Sequence, residues 1–183
     1  MADRKYFVDV FSDVVAEVRA EYDPINNLQP YYMFGHPKEI AHRLTLKEKG
    51  SLKFNKYPLI ALLTDFEETH MQTQDISYSV SPTILILNPT NKNYNSEERY
   101  INTFKTILYP IYELLIDKIA ESKIISTKSR LISHTKIDRL YWGVNGINGN
   151  EGLIFNDILD GIELNIDTLD IYIKASSCES ATV

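Results

Sequence analysis

Two short apolar runs, YPLIALL at 57–63 and TILIL at 83–87, constrain this chain more than any other feature. Each is cut off within a few residues by proline, charge or asparagine, so neither has room for a helix. The first reads as a buried strand, Tyr57 to Thr64. The second follows Ile76, Tyr78 and Val80, which alternate with serines, and the two stretches read as one longer strand with Pro82 at a bend or bulge. The two strands are expected to pair as a hairpin across the acidic segment TDFEETH.

The helical signals lie on either side. Phe7, Val10, Phe11, Val14, Val15, Val18 and Tyr22 recur at the spacing of one helical face, with Asp9, Asp13, Glu17 and Glu21 mostly opposite. They predict an amphipathic helix over residues 5–22, ended by Asp23-Pro24. Asn95 and Glu98 form a capping-box pattern. From there Ile101, Phe104, Ile107, Leu108, Ile111, Leu115 and Ile119 keep helical register to about Ser122, with Pro110 expected to kink the run. Tyr109 and Tyr112 stand beside that core stripe, on a second face that a lone subunit is expected to leave open.

Arg130 to Gly143 reads as a strand. GVNGINGNEG (143–152) reads as a Gly/Asn turn, and DGIELNIDTLDIYIK closes the pattern with Ile162, Leu164, Ile166, Leu169, Ile171 and Ile173. Residues 24–55, with two prolines and the aromatic cluster Tyr31, Tyr32 and Phe34, read as an irregular excursion or assembly arm holding at most a short strand or helical turn near Glu39 to Leu46. The expected architecture is one α+β domain over 1–175. It has an N-terminal helix, a mixed or antiparallel sheet of four or more strands, and a long kinked central helix, with the helices gathered on one face. A polar tail, 176–183, follows.

With 183 residues, 44% of them hydrophobic and 24% charged, the chain has the composition of an ordinary globular domain. A net charge of −6 disfavours a polyanion partner over the whole surface, so DNA is expected at most through a ring lumen. Cys178 is the single cysteine, which excludes an intrachain disulfide and fits a reducing compartment. The start MADRKYFVDV lacks the apolar core of a signal segment, and no stretch approaches a membrane span. An intracellular protein with no membrane partner is expected.

Few residues promise chemistry. Asp65, Glu67, Glu68 and His70 are the one dense cluster, but on an extended segment Asp65 and Glu67 share one side while Glu68 and His70 share the other. More oxygen ligands for a hard cation, or further His and Cys for zinc, are not in view. Asp157, Asp160 and Glu163 read as solvent-exposed carboxylates at a turn into a strand. No nucleophile elbow, phosphate loop, dinucleotide fingerprint or zinc-protease motif is present. The expectation is therefore no enzyme, no cofactor and no metal. Lys118, Lys123, Lys128, Arg130, Lys136 and Arg139 make a locally basic stretch that suits an acidic neighbour. A subunit interface is accordingly expected at Asp65, Glu67 and Glu68, at Tyr31, Tyr32 and Phe34, and at Lys128, Arg130 and Arg139. The alternatives are a small metal-dependent hydrolase built on Asp65, Glu67, Glu68 and His70, or a peptide-binding module using Tyr31 to Phe34.

The N-terminal amphipathic helix, the strands YPLIALL and TILILN, the proline-containing helix YINTFKTILYPIYELLIDKI and the closing DGIELNIDTLDIYI together resemble the tail-terminator and head-tail completion proteins of tailed bacteriophages. The resemblance is one of element order and hydrophobic texture over most of the chain. It implies a non-catalytic α+β subunit of a homo-oligomeric neck, connector or tail ring, assembled in the host cytoplasm into the virion. Its partners are then itself and other neck, portal or tail proteins. The long excursion at 24–55 departs from that pattern.

Overall fold

The computed structural model describes residues 6–22, 29–48, 56–71, 76–126, 131–142 and 157–173. In chain order these form α1 (Phe7–Glu21), β1 (Tyr31–Gly35), α2 (Pro37–Glu48), β2 (Leu59–Leu63), β3 (Glu68–Met71), β4 (Ile76–Val80) and β5 (Thr83–Pro89). A long joined helix comes next: α3 (Ser96–Arg99), a π-helical stretch (Tyr100–Leu108) and α4 (Tyr109–Glu121). Then follow β6 (Ile125–Ser126), β7 (His134–Trp142), β8 (Leu159–Ile166) and β9 (Leu169–Ile173).

The class is α+β with two sheets. One is five-stranded in the order β1-β2-β5-β8-β7, and the other four-stranded in the order β3-β4-β9-β6. Among the described strands only β1 with β2 pairs in parallel, and the other pairs are antiparallel. The sheets are closely related, because β2 pairs β5 while β3 pairs β4, and β5 pairs β8 while β4 pairs β9. Three consecutive strand pairs thus leave one sheet and enter the other through breaks at 64–67, 81–82 and 167–168. Pro82 stands at the middle break, where its carbonyl accepts from the Ile166 N–H at 3.1 Å. The bend read at Pro82 is therefore real, and it carries the chain between sheets. The pairing expected between the two apolar strands is also present. The acidic segment, however, enters β3 and does not form the turn of a hairpin.

The continuous apolar runs have a direct cause. Ile60, Leu62, Ile84, Ile86, Ile162, Leu164 and Ile166 face α1 and the long helix, whereas Leu59, Ala61, Leu85, Leu87 and Leu159 face α2 through Ile40, Ala41 and Leu44. A strand buried on both faces has no polar alternate, so its sequence shows no alternation. Helices gathered on one face, as expected, are corrected by α2, which covers the other. The excursion at 24–55 is corrected as well: its described part is a strand and a helix, linking β1 to its parallel neighbour β2. Tyr31–Gly35 went unread because an edge strand with five uncharged residues shows no period, and α2 was read only as a short strand or helical turn near Glu39 to Leu46 because Gly35 and Pro37 crowd its start.

The joined helix begins with the expected capping box. The Asn95 side chain accepts from the Glu98 N–H, and Glu98 accepts in return from the Asn95 N–H, both at 2.9 Å. Ahead of Pro110 the winding widens to π. The Tyr109 N–H donates to the Phe104 carbonyl, and the Thr106 hydroxyl takes up the Ile101 carbonyl at 2.6 Å. Pro110, which has no N–H to donate, then stands where the ladder tightens to α. Among the described residues no helix is long and apolar enough to cross a membrane.

Candidate functional site

The residues expected at an interface fall into two groups. Tyr31, Tyr32 and Phe34 occupy β1, an edge strand of the five-stranded sheet. Tyr32 and Phe34 project toward α1, and their rings begin a chain: Phe34 to Tyr32 at 6.2 Å, Tyr32 to Phe11 at 5.9 Å, Phe11 to Phe7 at 5.8 Å and Phe7 to Phe66 at 5.4 Å. Phe66 sits between the exposed Asp65 and Glu67. The helix α1 thereby ties the aromatic edge to the acidic bend. Phe34 remains 43% exposed at the outer end of the chain.

Tyr32 has a second peculiarity. Its hydroxyl is buried with no hydrogen-bond partner among the described residues. Burial, reinforced by the nearby Asp9 carboxylate, pushes its pKa well above the usual phenol range. The cost of an unsatisfied buried hydroxyl is on the order of 1–3 kcal/mol.

The acidic segment does not converge. Glu68 and His70, two apart on β3, lie on one side with Oε2 and Nε2 3.2 Å apart, and the His70 ring packs near Tyr78 at 5.4 Å. Asp65 and Glu67 lie outside that pair. No group of three or more His, Cys, Asp or Glu side chains suited to a metal occurs among the described residues.

Arg139 lies on β7, the opposite edge of the same sheet, with β2, β5 and β8 between it and β1. Its Nε donates to Glu163 at 3.0 Å. Lys136 is likewise engaged, with Nζ 2.6 Å from Asp138 and 4.3 Å above the Tyr109 ring. Lys118 bridges Glu21 at 2.6 Å and Glu121 at 3.1 Å, hydrogen bonds that hold its pKa above the ordinary lysine value. Lys128, Arg130, the turn at 143–152 and Cys178 lie outside the described residues.

The second helical face expected to stay open is occupied by the chain itself. The Tyr109 hydroxyl donates to Asp138 at 2.7 Å, and Tyr112 meets His134 Nε2 at 2.7 Å. His134 Nδ1 lies 2.8 Å from the Ile132 carbonyl, which can only accept. In the neutral ring Nδ1 therefore carries the hydrogen, and Nε2 accepts from Tyr112. Desolvation, followed by the bond to Asp138, pushes the Tyr109 phenol up to about 12; Tyr112 is raised too, chiefly by desolvation.

The most closed polar group was missed. Arg99, 2% exposed, and Asp160, 0% exposed, form a buried pair with Nη1 at 2.8 and 3.0 Å from the two carboxylate oxygens. Arg99 also donates from Nε to the Tyr94 carbonyl at 3.1 Å, from Nη2 to the Asn91 carbonyl at 3.1 Å and from Nη1 to Thr90 Oγ1 at 3.4 Å. The Tyr141 ring lies 3.8 Å from its guanidinium carbon, and the Tyr141 N–H donates to Asp160 at 3.1 Å. Tyr141 holds φ at +51°, next to the register shift between Arg139 and Trp142. The exposed reading of Asp160 is thus overturned. Its neighbours were misread as well. Asp157 accepts from Lys56 Nζ and the Tyr57 hydroxyl, each at 2.8 Å, and Glu163 is half-buried. The signal was available: Asp160 shares the period of Ile162, Leu164 and Ile166, which places it on the core face. With every strong donor answered, this cluster is a lock between the helix start and β8.

The sequence matches no family model and no curated protein.

Proposed function

We propose that this chain is a structural subunit that assembles with copies of itself into a ring. The ring would belong to the neck, connector or tail of a phage particle, as the resemblance to tail-terminator and head-tail completion proteins implies. The observation that carries the proposal is β1. It is an edge strand, YYMFG, with no charge and no proline to blunt it, and Phe34 is left outside. Such an edge is a template for pairing with another chain unless something covers it. The acidic bend lies at the other end of the same aromatic chain, joined to β1 through the buried Phe7 and Phe11.

On this proposal the subunit does no chemistry. Its partners are its own copies and the neck, portal or tail proteins above and below, with DNA at most passing through the lumen. It acts within the virion after assembly in the host. Deleting its gene should leave heads and tails unjoined, or tails of uncontrolled length. Fully infectious particles lacking the protein would overturn the proposal.

A further inference from the structure

The five-stranded sheet has two edges, β1 and β7, and they differ in how they are finished. β1 itself carries no charged residue and no proline that would blunt it. β7 carries Lys136, Asp138 and Arg139 and a register shift after Arg139, while β3 is short and charged and β6 has two residues. Before its irregularity, β7 offers His134 to Arg139 in unbroken register with β8, six residues against the five of β1.

Building on the assembly proposal, we infer that copies meet head to tail, with β1 of one subunit pairing with the His134 to Asp138 edge of the next. Strand direction favours it. β1 runs with β2, and β5, β8 and β7 then reverse in turn, so β7 runs opposite to β1. Continuing the sheet into a like-oriented neighbour therefore makes an antiparallel pair. The faces are also fixed. Tyr32 and Phe34 lie on the sheet face of Ile60 and Leu62, and His134, Lys136 and Asp138 on that of Ile166, Leu164 and Ile162, which is the same helix-covered face. Phe34 accordingly meets Lys136 or one of its alternates, His134 and Asp138, whereas Met33 meets Thr135 or Ile137.

Charge does not oppose the contact. Beside β1, α1 exposes Asp9, Asp13, Glu17 and Glu21 against Arg19, whereas on β7 Lys136 is paired with Asp138 and Arg139 with Glu163, so that edge brings no second acidic surface. A contact between two different edges is heterologous and can be repeated from copy to copy, making a ring when the rotation closes, where a β1 to β1 contact stops at a dimer.

Cysteine pairing tests the contact. In a Cys178→Ser background, Phe34→Cys with Lys136→Cys is treated with a short bis-maleimide, and each single variant serves as a control. The expected result is a ladder of covalent multimers from the double variant and none from the singles. Should Phe34→Cys alone dissociate the multimer, His36→Cys with His134→Cys replaces it and must give the same ladder. Dimers from Phe34→Cys alone, with no ladder, mean β1 pairs with itself and overturn the inference. No cross-link from either pair in a chain that light scattering shows to be multimeric overturns it while the assembly proposal stands. A wild-type chain that is monomeric at every concentration overturns both.

Discussion

The Arg99–Asp160 cluster and the β1 edge both hold tyrosines, and the fold treats their polar groups in opposite ways. At the first, a guanidinium, a carboxylate and a tyrosine ring are closed in together and the charges are answered by partners within hydrogen-bonding distance. At the second, Tyr32 buries a hydroxyl without a partner among the described residues, and Phe34 stays half outside. Satisfied polar groups lock a monomer. Unsatisfied and exposed ones are gathered on an edge strand, which is where the assembly proposal places the contact with another copy.

The largest effect should come from breaking the lock. Asp160→Ala leaves a buried guanidinium with no counter-ion and should cost about 3–5 kcal/mol in urea unfolding. If the pair is only a lock, replacing both members by apolar residues, Arg99→Met with Asp160→Leu, should recover most of that loss. Next is Gly161→Val on the adjoining residue of β8. A Cβ at Gly161 would overlap Leu87 Cδ2 and lie 2.9 Å from the Ile86 carbonyl oxygen. Overpacking should destabilise by about 1–3 kcal/mol, read as a lower melting temperature.

At the edge the stability effects should be small. Reversing both Glu67 and Glu68 to Lys should weaken self-association measured by sedimentation, while the monomer loses no more than about 1 kcal/mol from the exposed Glu68–His70 pair. Tyr32→Phe is smaller still and of the opposite sign. Removing a buried hydroxyl that has no partner should leave the fold unchanged or stabilise it by about 1 kcal/mol in urea unfolding. A clear destabilisation there would mean the hydroxyl is answered after all, and the contrast between the two regions would lose its edge member.

What was legible in the sequence follows from how strongly each element repeats. Phe7 to Val18 and the run from Phe104 to Ile119 keep one buried face over several turns, and both helices were read nearly to their ends, although Ile101, assigned to that face, is 48% exposed where the winding is π. The strands at 59–63 and 83–89 were legible because burial on two faces leaves only apolar residues. β1 was not, and α2 was legible only as a short strand or helical turn near Glu39 to Leu46, since a five-residue edge strand and a helix starting at Pro37 give periodicity little length to act on. The division into two sheets was also hidden, because a break at Pro82 looks alike in sequence whether a strand bends or changes sheet. Asp160 was misread through attention to its spacing from Asp157, when its alternation with Ile162 and Leu164 carried the information. Arg99 had no such cue: its carboxylate partner lies 61 residues away. Tyr31, Tyr32 and Phe34 were picked out as a group, but their joining to the acidic bend runs through Phe7 and Phe11 on another element and is visible only in three dimensions.

The most direct measurement is the molar mass of the wild-type chain and of Phe34→Lys by light scattering in one buffer, with both melting curves. A lysine at that position supplies the charge that β1 lacks and touches no buried contact of the lock. The account predicts a multimer for the wild type, a monomer for Phe34→Lys, and melting of the isolated subunit changed by no more than about 0.5 kcal/mol in stability, as for an ordinary surface substitution. Equal masses for the two proteins would contradict it.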